Sequence, residues 1–92
     1  EAENALITHP KVFDAAVFGI PHEEYGEEVK GVVQLVTGVE ATNEVAAELI
    51  AFCRARLAKI KCPRSIDFEA ELPRHPTGKL YKRKLRDRYL EG

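Results

Sequence analysis

Two apolar runs in the first half of the chain constrain its fold most strongly. Residues 12–20 (VFDAAVFGI) and 29–36 (VKGVVQLV) are rich in β-favouring side chains, and the polar turn segment 21–28 (PHEEYGEE) separates them. The first run shows no clear alternation of apolar and polar positions, which is typical of a strand covered on both faces. Pro21 is expected to end it. The sequence therefore predicts two strands, the first of which requires other elements packed on each side.

Helical patterns flank these strands. Residues 1–8 (EAENALIT) have the pattern of the end of a helix that His9 and Pro10 stop. Residues 44–57 form the clearest helix, because apolar side chains recur there mostly at spacings of three and four. Cys53 falls on that apolar stripe, and we interpret it as a small buried hydrophobic residue.

The last third of the chain supplies a strand, a loop and a helix. Residues 65–72 (SIDFEAEL) alternate between apolar and charged side chains, which predicts a strand with one solvent-exposed face. Residues 73–79 (PRHPTGK) are expected to form a loop, because closely spaced prolines and a glycine sustain neither a helix nor a strand ladder. A basic helix is predicted over residues 80–90, with an apolar stripe of Tyr81, Leu85 and Tyr89.

The predicted order of elements is α-β-β-α-β-α over 92 residues. That order indicates one α+β domain over residues 1–92, a small sheet of about three main strands flanked by helices. The chain contains no methionine, even at position 1, so we expect it to be a piece of a longer protein. A module of this size can carry one catalytic residue, but it has little room for a complete pocket for two substrates.

Composition excludes several classes of protein. Hydrophobic residues make up 45% and charged residues 32%, a balance typical of folded globular domains. No apolar run approaches the ~18 residues of a membrane span, and residues 1–4 lack the pattern of a signal peptide. We therefore expect a cytoplasmic protein with no membrane span. Residues 1–53 carry a net charge of −8 and residues 54–92 one of +7, so an anionic partner should meet the second half.

Most titratable clusters are interpreted as structural. The histidines lie far apart and are expected on surface turns: His9, His22 and His75. None has a second ligand at the spacing of a metal site, so no metal site is predicted. The acidic pairs at 23–24 and 27–28 lack the glycine and ligand spacing of a calcium loop, which indicates solvated charge. Cys53 and Cys62 are too few for a disulfide framework.

The segment 75–79 (HPTGK) places a lysine after a turn with proline at its second position and glycine at its fourth. A Walker A loop is excluded, because Pro73 and Leu80 stand where that motif needs glycine and Ser or Thr. The turn should present Lys79 outward as a point charge that can meet a carboxylate and a phosphate oxygen at once. The alternative is that Lys79 is only the first cation of the basic helix.

Six bases within residues 79–88 could also follow a nucleic-acid backbone. Tyr81 and Tyr89 fall on the apolar stripe rather than among the cations, however, and the whole chain has a net charge of only −1. We interpret the helix as having a solvated basic face and expect no nucleic-acid partner. A freestanding nucleic-acid-binding module is the distant alternative.

Three segments together resemble the C-terminal domain of the acyl- and aryl-CoA synthetases, which are AMP-forming, adenylate-forming ligases. They are VFGIPHEEYGE with VKGVVQL, the K-x-P step at residues 61–63, and LPRHPTGKLYKRKLR at residues 72–86. The resemblance covers essentially the whole chain. It implies a large N-terminal domain that holds ATP, Mg²⁺ and the carboxylate. The smaller domain closes over it in two orientations, one for adenylation and one for thioester formation.

The resemblance implies roles for two residues. Lys79 corresponds to the lysine that bridges the substrate carboxylate and the nucleotide phosphate as charge develops. Arg54 maps onto a basic residue that contacts the phosphates of CoA in some members. The alternative is that Arg54 and Arg56 only complement the dipole of their helix. ATP, CoA and Mg²⁺ are thus expected in the full-length enzyme, and none is expected to bind to this fragment alone, which should be inactive.

The resemblance also suggests partners. The substrate is expected to be a long-chain or aromatic carboxylate, bound in the N-terminal domain. The loop around Lys79 resembles the site that protein lysine acetyltransferases modify in bacterial acyl-CoA synthetases, and acetylation there would remove the charge. An acetyltransferase is therefore a hypothetical partner. A related alternative is the C-terminal subdomain of a peptide-synthetase adenylation module, whose acceptor is a carrier-protein thiol.

Overall fold

The computed structural model describes residues 2–24 and 26–91. Helices and strands follow the predicted order. They are α1 (Ala2–Ile7), β1 (Val12–His22), β2 (Gly26–Leu35), α2 (Asn43–Arg54), a 3₁₀ turn (Lys59–Lys61), β3 (Ser65–Phe68) and α3 (Lys82–Glu91). The predicted α+β class with a three-stranded sheet is confirmed.

The sheet has the order β1-β2-β3, with β2 in the centre. β1 and β2 form an antiparallel hairpin in which Ala16 faces Val32. β3 runs parallel to β2 and pairs Ile66 with Gly31. A parallel pair cannot be joined by a tight turn, and here α2 and the 3₁₀ turn form the crossover between the two strands.

Apolar side chains cover both faces of the sheet, as the lack of alternation in the first run predicts. On one face, Ala15 and Val33 pack with Leu6 of α1 and Leu49 of α2 in a first core. On the other face, a second core joins the sheet to α3: Ala16, Phe18, Val32, Leu72 and Leu85. Neighbouring residues of β1 thus point into different cores, because successive side chains of a strand alternate.

Helix residues cover the outer edge of β1. The Glu3 carboxylate accepts a 2.7 Å hydrogen bond from the Val17 N–H and lies 2.5 Å from the Lys82 ammonium. The Arg86 Nε donates to the Gly19 carbonyl at 2.9 Å. The Val17 N–H and the Gly19 carbonyl, which would otherwise be open to strand addition, are therefore occupied by side chains of α1 and α3.

The predicted end of β1 at Pro21 is wrong, because the strand continues to His22. Val17 and Gly19 direct their backbone groups away from β2. Pro21 follows Gly19 by two residues, so its backbone faces the same way. Its missing N–H therefore removes no ladder bond, so an edge strand tolerates it.

Other boundaries also differ from the prediction, and β2 begins at Gly26 rather than at residue 29. α2 ends at Arg54 rather than at residue 57, so Arg56 lies beyond the helix, with its guanidinium carbon 3.5 Å from the centroid of Phe52. β3 ends at Phe68 rather than at residue 72, and Asp67 on its predicted exposed face is half-buried. α3 begins at Lys82 rather than at residue 80. After β3 the Leu72 N–H donates to Gln34 of β2, and before α3 the Tyr81 N–H donates to the Pro73 carbonyl, so these contacts replace the predicted continuations.

The predicted surface position of His9 is wrong. This histidine is 6% exposed and packs edge-on against Phe52, with ring centroids 4.8 Å apart. Its Nδ1 accepts the Lys11 N–H at 3.1 Å, and its Nε2 lies 3.0 Å from a carboxylate oxygen of Glu48. Since both ring nitrogens have partners, burial of this polar ring is tolerated, and it joins the α1–β1 turn to α2.

The other histidines differ from each other. His22 is half-buried within β1, so its predicted place on a surface turn is also wrong, whereas His75 is exposed at a turn as predicted.

α2 is the longest helix, with 12 residues, and no helix in the described part of the chain has the length and apolar character to cross a bilayer.

Candidate active-site lysine loop

Residues 75–78 form the turn that the sequence predicts. The Gly78 N–H donates to the His75 carbonyl at 2.8 Å, with Pro76 in the second position. Gly78 has a φ of +89°, in the region that favours glycine. The chain therefore reverses direction over four residues and delivers Lys79 directly after the turn.

Backbone pairing on both sides of the turn makes the loop rigid. Arg74 and Leu80 form an antiparallel bridge, in which the His75 N–H donates to the Lys79 carbonyl at 2.8 Å. One step further out, the Tyr81 N–H donates to the Pro73 carbonyl at 2.9 Å. The rings of His75 and Tyr81 stack with centroids 4.0 Å apart. Tyr81 therefore belongs to the loop and not to the helical stripe in which the sequence places it.

The base of the loop is anchored in the second core. Leu72 is 2% exposed, and Leu80 packs against the same cluster. The Leu72 N–H donates to the side-chain oxygen of Gln34 in β2 at 3.3 Å. Because both ends of the loop are held against the sheet, its tip projects from a fixed support.

The Lys79 side chain is exposed at this tip. Among the side chains that the structure describes, in residues 2–24 and 26–90, no carboxylate lies within ion-pair distance of its ammonium. Three neighbouring cations of α3 differ in this respect, because Lys82 and Arg88 pair with carboxylates and Arg86 donates to a backbone carbonyl. Lys79 can therefore offer its charge to an external anion.

Arg54, the second predicted site residue, lies at the end of α2 and is exposed. It borders a groove of about 510 Å³ with the bases Lys59 and Arg64, and with the carboxylates Glu27 and Glu28. α2 packs on the first core, whereas the Lys79 loop packs on the second. The structure therefore does not bring Arg54 and Lys79 together, because the sheet separates the elements that carry them.

No group of three or more His, Cys, Asp or Glu in the described ranges is placed to hold a metal ion. Cys53 and Cys62 are buried and unbridged, and burial is the main cause that raises the pKa of Cys53. A raised pKa lowers the thiolate fraction, so Cys53 acts as the core residue that its helical position predicts.

Arg74 and Asp14 form a contact that the sequence reasoning missed. The Arg74 Nη2 binds the Oδ2 of Asp14 in β1, and Nη1 donates to the Gly78 carbonyl at 2.8 Å. The sequence contained one signal, since Asp14 is a charged residue inside an apolar run predicted to be buried. A buried carboxylate requires a partner, although the sequence does not say which cation supplies it.

Comparison with known proteins identifies the family of this domain. Residues 1–79 match the AMP-binding enzyme C-terminal domain, and Lys79 is the last residue of the match. The chain belongs to this family. The resemblance inferred from the three sequence segments is thereby confirmed.

Relatives and solved structures agree with this assignment. The chain is 41% identical over 86 residues to the acetyl-coenzyme A synthetase of Parvibaculum lavamentivorans, covering 94% of the chain and 13% of the relative. It is 43% identical over 88 residues to the mitochondrial medium-chain acyl-CoA ligase ACSF2 of Danio rerio, covering 96% and 14%. The crystal structure of Brucella canis acyl-CoA synthetase superimposes with a TM-score of 0.93 at 43% identity, covering 98% of this chain and 17% of that one. The chain thus spans about one seventh of the length of these relatives.

Proposed function

We propose that this domain is the C-terminal part of an ATP-dependent, AMP-forming acyl-CoA synthetase and that Lys79 is its adenylation residue. The observation that carries the proposal is the exposed Lys79 ammonium, which has no carboxylate partner in the described part of the chain and projects from a rigid loop. An ammonium held in that way can stabilise negative charge that develops between a carboxylate and an α-phosphate. Because its support is preorganised, the loop needs no further ordering once the domain has closed over the reacting groups.

The second half-reaction is assigned to a different face of the domain. Arg54, Lys59 and Arg64 line one groove beside Glu27 and Glu28, and the excess of bases there suits the phosphates of CoA. The placement of Lys79 and Arg54 on opposite sides of the sheet supports a model in which two orientations present two faces to one active centre. ATP, Mg²⁺ and the carboxylate would be held by an N-terminal domain of the same protein, its main partner, so the isolated domain is expected to be inactive.

The substrate carboxylate, the thiol acceptor and the location in the cell are part of the same proposal. We propose a long-chain or aromatic carboxylate, with CoA rather than a carrier protein as acceptor, and a cytoplasmic enzyme. The relatives named above are ligases that form acetyl-CoA and medium-chain acyl-CoA. Acids of both lengths therefore belong in the substrate test. A test with free CoA against a carrier-protein thiol separates the acyl-CoA synthetase from a peptide-synthetase module.

Acetylation of Lys79 is proposed as a means of regulation. The side chain is exposed and the loop tip projects from the domain, so an acetyltransferase can reach it. Acetylation would remove the charge that the adenylation step uses. Mass spectrometry after incubation with acetyl-CoA and a protein lysine acetyltransferase should show modification at Lys79, and an unmodified Lys79 would exclude this regulation.

The test of the proposed function uses Lys79→Ala in the full-length enzyme. Carboxylate-dependent ATP–pyrophosphate exchange measures adenylation, and transfer of a preformed acyl-adenylate to CoA measures thioester formation. Exchange should fall on the order of 10²-fold or more, because an electrostatic donor to the transition state is lost. Transfer should be unchanged. Retention of both activities would show that Lys79 is only a surface cation.

Lys84→Ala is the matched control, since Lys84 is an exposed lysine of α3 outside the loop. Both of its activities should equal those of the unmodified enzyme.

Binding of duplex DNA at low salt provides the separate test of a nucleic-acid-binding module, which predicts micromolar affinity that falls steeply with salt. The engagement of Lys82, Arg86 and Arg88 in contacts within the domain disfavours that alternative.

A further inference from the structure

We propose that Arg74, held by Asp14, is a positioning residue that sets the direction of Lys79. This inference rests on the proposed function of Lys79. It concerns the side-chain contact between Asp14 at the sheet edge and Arg74 in the loop, which lie 60 residues apart in sequence.

Asp14 provides the fixed end of the contact. Its side chain is 9% exposed and lies where the register of β1 shifts between Val12 and Asp14. One carboxylate oxygen, Oδ1, accepts the Ala15 N–H at 3.0 Å, and the other binds Arg74. A short side chain with both oxygens engaged on a paired strand has little freedom to move.

The guanidinium of Arg74 transmits this position to the loop. Nη2 binds Asp14, while Nη1 donates to the Gly78 carbonyl at 2.8 Å. The Gly78 carbonyl and the Lys79 N–H belong to one planar peptide group. Fixing that carbonyl therefore fixes the plane from which the Lys79 side chain extends, at a turn whose glycine would otherwise allow rotation.

The chemistry of the contact requires arginine. A guanidinium presents several donors in a rigid fork and can bind two acceptors in different directions at once. A lysine ammonium in place of Arg74 keeps the charge, but it cannot hold both Asp14 and the Gly78 carbonyl in one geometry. Arg74 itself is 43% exposed, so the pair adds little to the stability of the domain. Its larger effect should appear in the reaction that depends on Lys79.

The experiment compares Arg74→Ala, Arg74→Lys and Asp14→Asn in the full-length enzyme. ATP–pyrophosphate exchange is measured with whichever acid of acetate, octanoate, palmitate and benzoate supports the fastest exchange in the unmodified enzyme. Arg74→Ala should lower the kcat of exchange about 10- to 100-fold, because a misplaced catalytic group loses near-attack geometry. The KM for ATP and the transfer of preformed acyl-adenylate to CoA should change less than about threefold, since neither depends on the direction of Lys79.

Two further variants separate positioning from other roles. Asp14→Asn should lower exchange in the same direction but less, since the amide keeps one acceptor and loses the charge. Arg74→Lys should fall between Arg74→Ala and the unmodified enzyme. Arg88→Ala is the matched control, because Arg88 is an arginine of similar exposure that also pairs with a carboxylate but does not touch the loop, and its exchange rate should be unchanged.

A double variant provides the decisive outcome. In the Lys79→Ala background, Arg74→Ala should cause no further loss of exchange, because Arg74 acts through Lys79. A further loss, or a normal rate in Asp14→Asn beside a low rate in Arg74→Ala, would show that Arg74 contacts substrate directly and would overturn the inference. If Lys79→Ala lowers exchange while the Arg74 and Asp14 variants do not, the inference alone fails. If Lys79→Ala itself has no effect, the proposed function fails.

Discussion

Tyr89 of α3 donates a 2.6 Å hydrogen bond from its hydroxyl to Oδ2 of Asp67 in β3. The other oxygen of Asp67 lies 3.1 Å from the Lys30 ammonium of β2, and that ammonium lies 5.3 Å from the centroid of the Tyr89 ring. Helix and sheet are thus joined by a polar contact beside the apolar packing of Leu85. This contact holds the helix that directly follows the Lys79 loop.

Tyr89→Phe should lower the free energy of unfolding by about 1 kcal/mol, because it removes one hydrogen bond while keeping the ring. Denaturant unfolding of the 92-residue chain at neutral pH measures this loss. Arg88→Ala is the control, since the exposed Arg88–Glu69 pair should contribute about 0.5 kcal/mol or less. Equal losses in the two variants would contradict a specific role for the hydroxyl.

The same tyrosine should make the stability of the folded domain depend on alkaline pH. Burial, followed by the hydrogen bond to Asp67, raises the pKa of Tyr89 above its ordinary value of 10.0. The folded state therefore keeps the proton that the unfolded state releases, so the stabilisation is complete below pH 10 and is lost as the pH rises further. In Tyr89→Phe this part of the alkaline decline should be absent, and an unchanged decline would contradict the assignment.

Glu48 should make the stability of the folded domain depend on acid pH. A hydrogen bond from Lys11, with a smaller contribution from His9, lowers the pKa of Glu48 below its ordinary value of 4.5. Stabilisation from this carboxylate is therefore present above pH 4.5 and declines as the pH falls through the lowered pKa. Unfolding measured between about pH 6 and 3 should show a shallower acid decline in Glu48→Gln. Glu40→Gln is the control, because Glu40 is exposed and precedes α2, and it should leave the decline unchanged.

Gly78→Ala should separate loop conformation from loop packing. An added Cβ would meet no atom within 4 Å, so the cost arises from the φ of +89°. Stability should fall by about 1 kcal/mol, and ATP–pyrophosphate exchange of the full-length enzyme should fall as Lys79 is displaced. Gly26→Ala is a matched control, since Gly26 has a φ of +78° and equally open surroundings in the β1–β2 hairpin. A comparable loss of exchange in Gly26→Ala would show that stability alone explains the effect.

Arg54→Ala tests the groove beside α2. In the full-length enzyme the KM for CoA should rise about tenfold, because one phosphate contact is removed. ATP–pyrophosphate exchange should stay constant. Arg56→Ala is the control, since its guanidinium stacks on Phe52 and donates to the Phe52 carbonyl at 3.0 Å. An unchanged KM for CoA in Arg54→Ala would leave Arg54 as a cation that only complements the helix dipole.

Local patterns account for what the sequence predicts correctly. The period of apolar residues identifies α2, and the Pro and Gly positions identify the turn before Lys79. Both depend on residues within a few positions of one another, so they can be read without knowledge of the fold. The burial of Cys53 follows from the same helical period.

Long-range contacts account for the errors. His9 is buried because Phe52 and Glu48, far along the chain, surround its ring. β3 ends at Phe68, after which Leu72 returns to the second core and binds Gln34 of β2. Local alternation contains no information about either partner, so it predicts a surface histidine and a longer strand.

By itself, the sequence determined the order of elements, the α+β class, the family and the turn that precedes Lys79, because each is encoded in a local period or a contiguous motif. Only the tertiary structure decided that Asp14 and Arg74, 60 residues apart in sequence, are in contact. It also decided that Lys79 and Arg54 lie on elements that pack on opposite faces of the sheet. Such contacts depend on how the strands and helices pack, since a pair of charges distant in sequence has no spacing from which its proximity can be read.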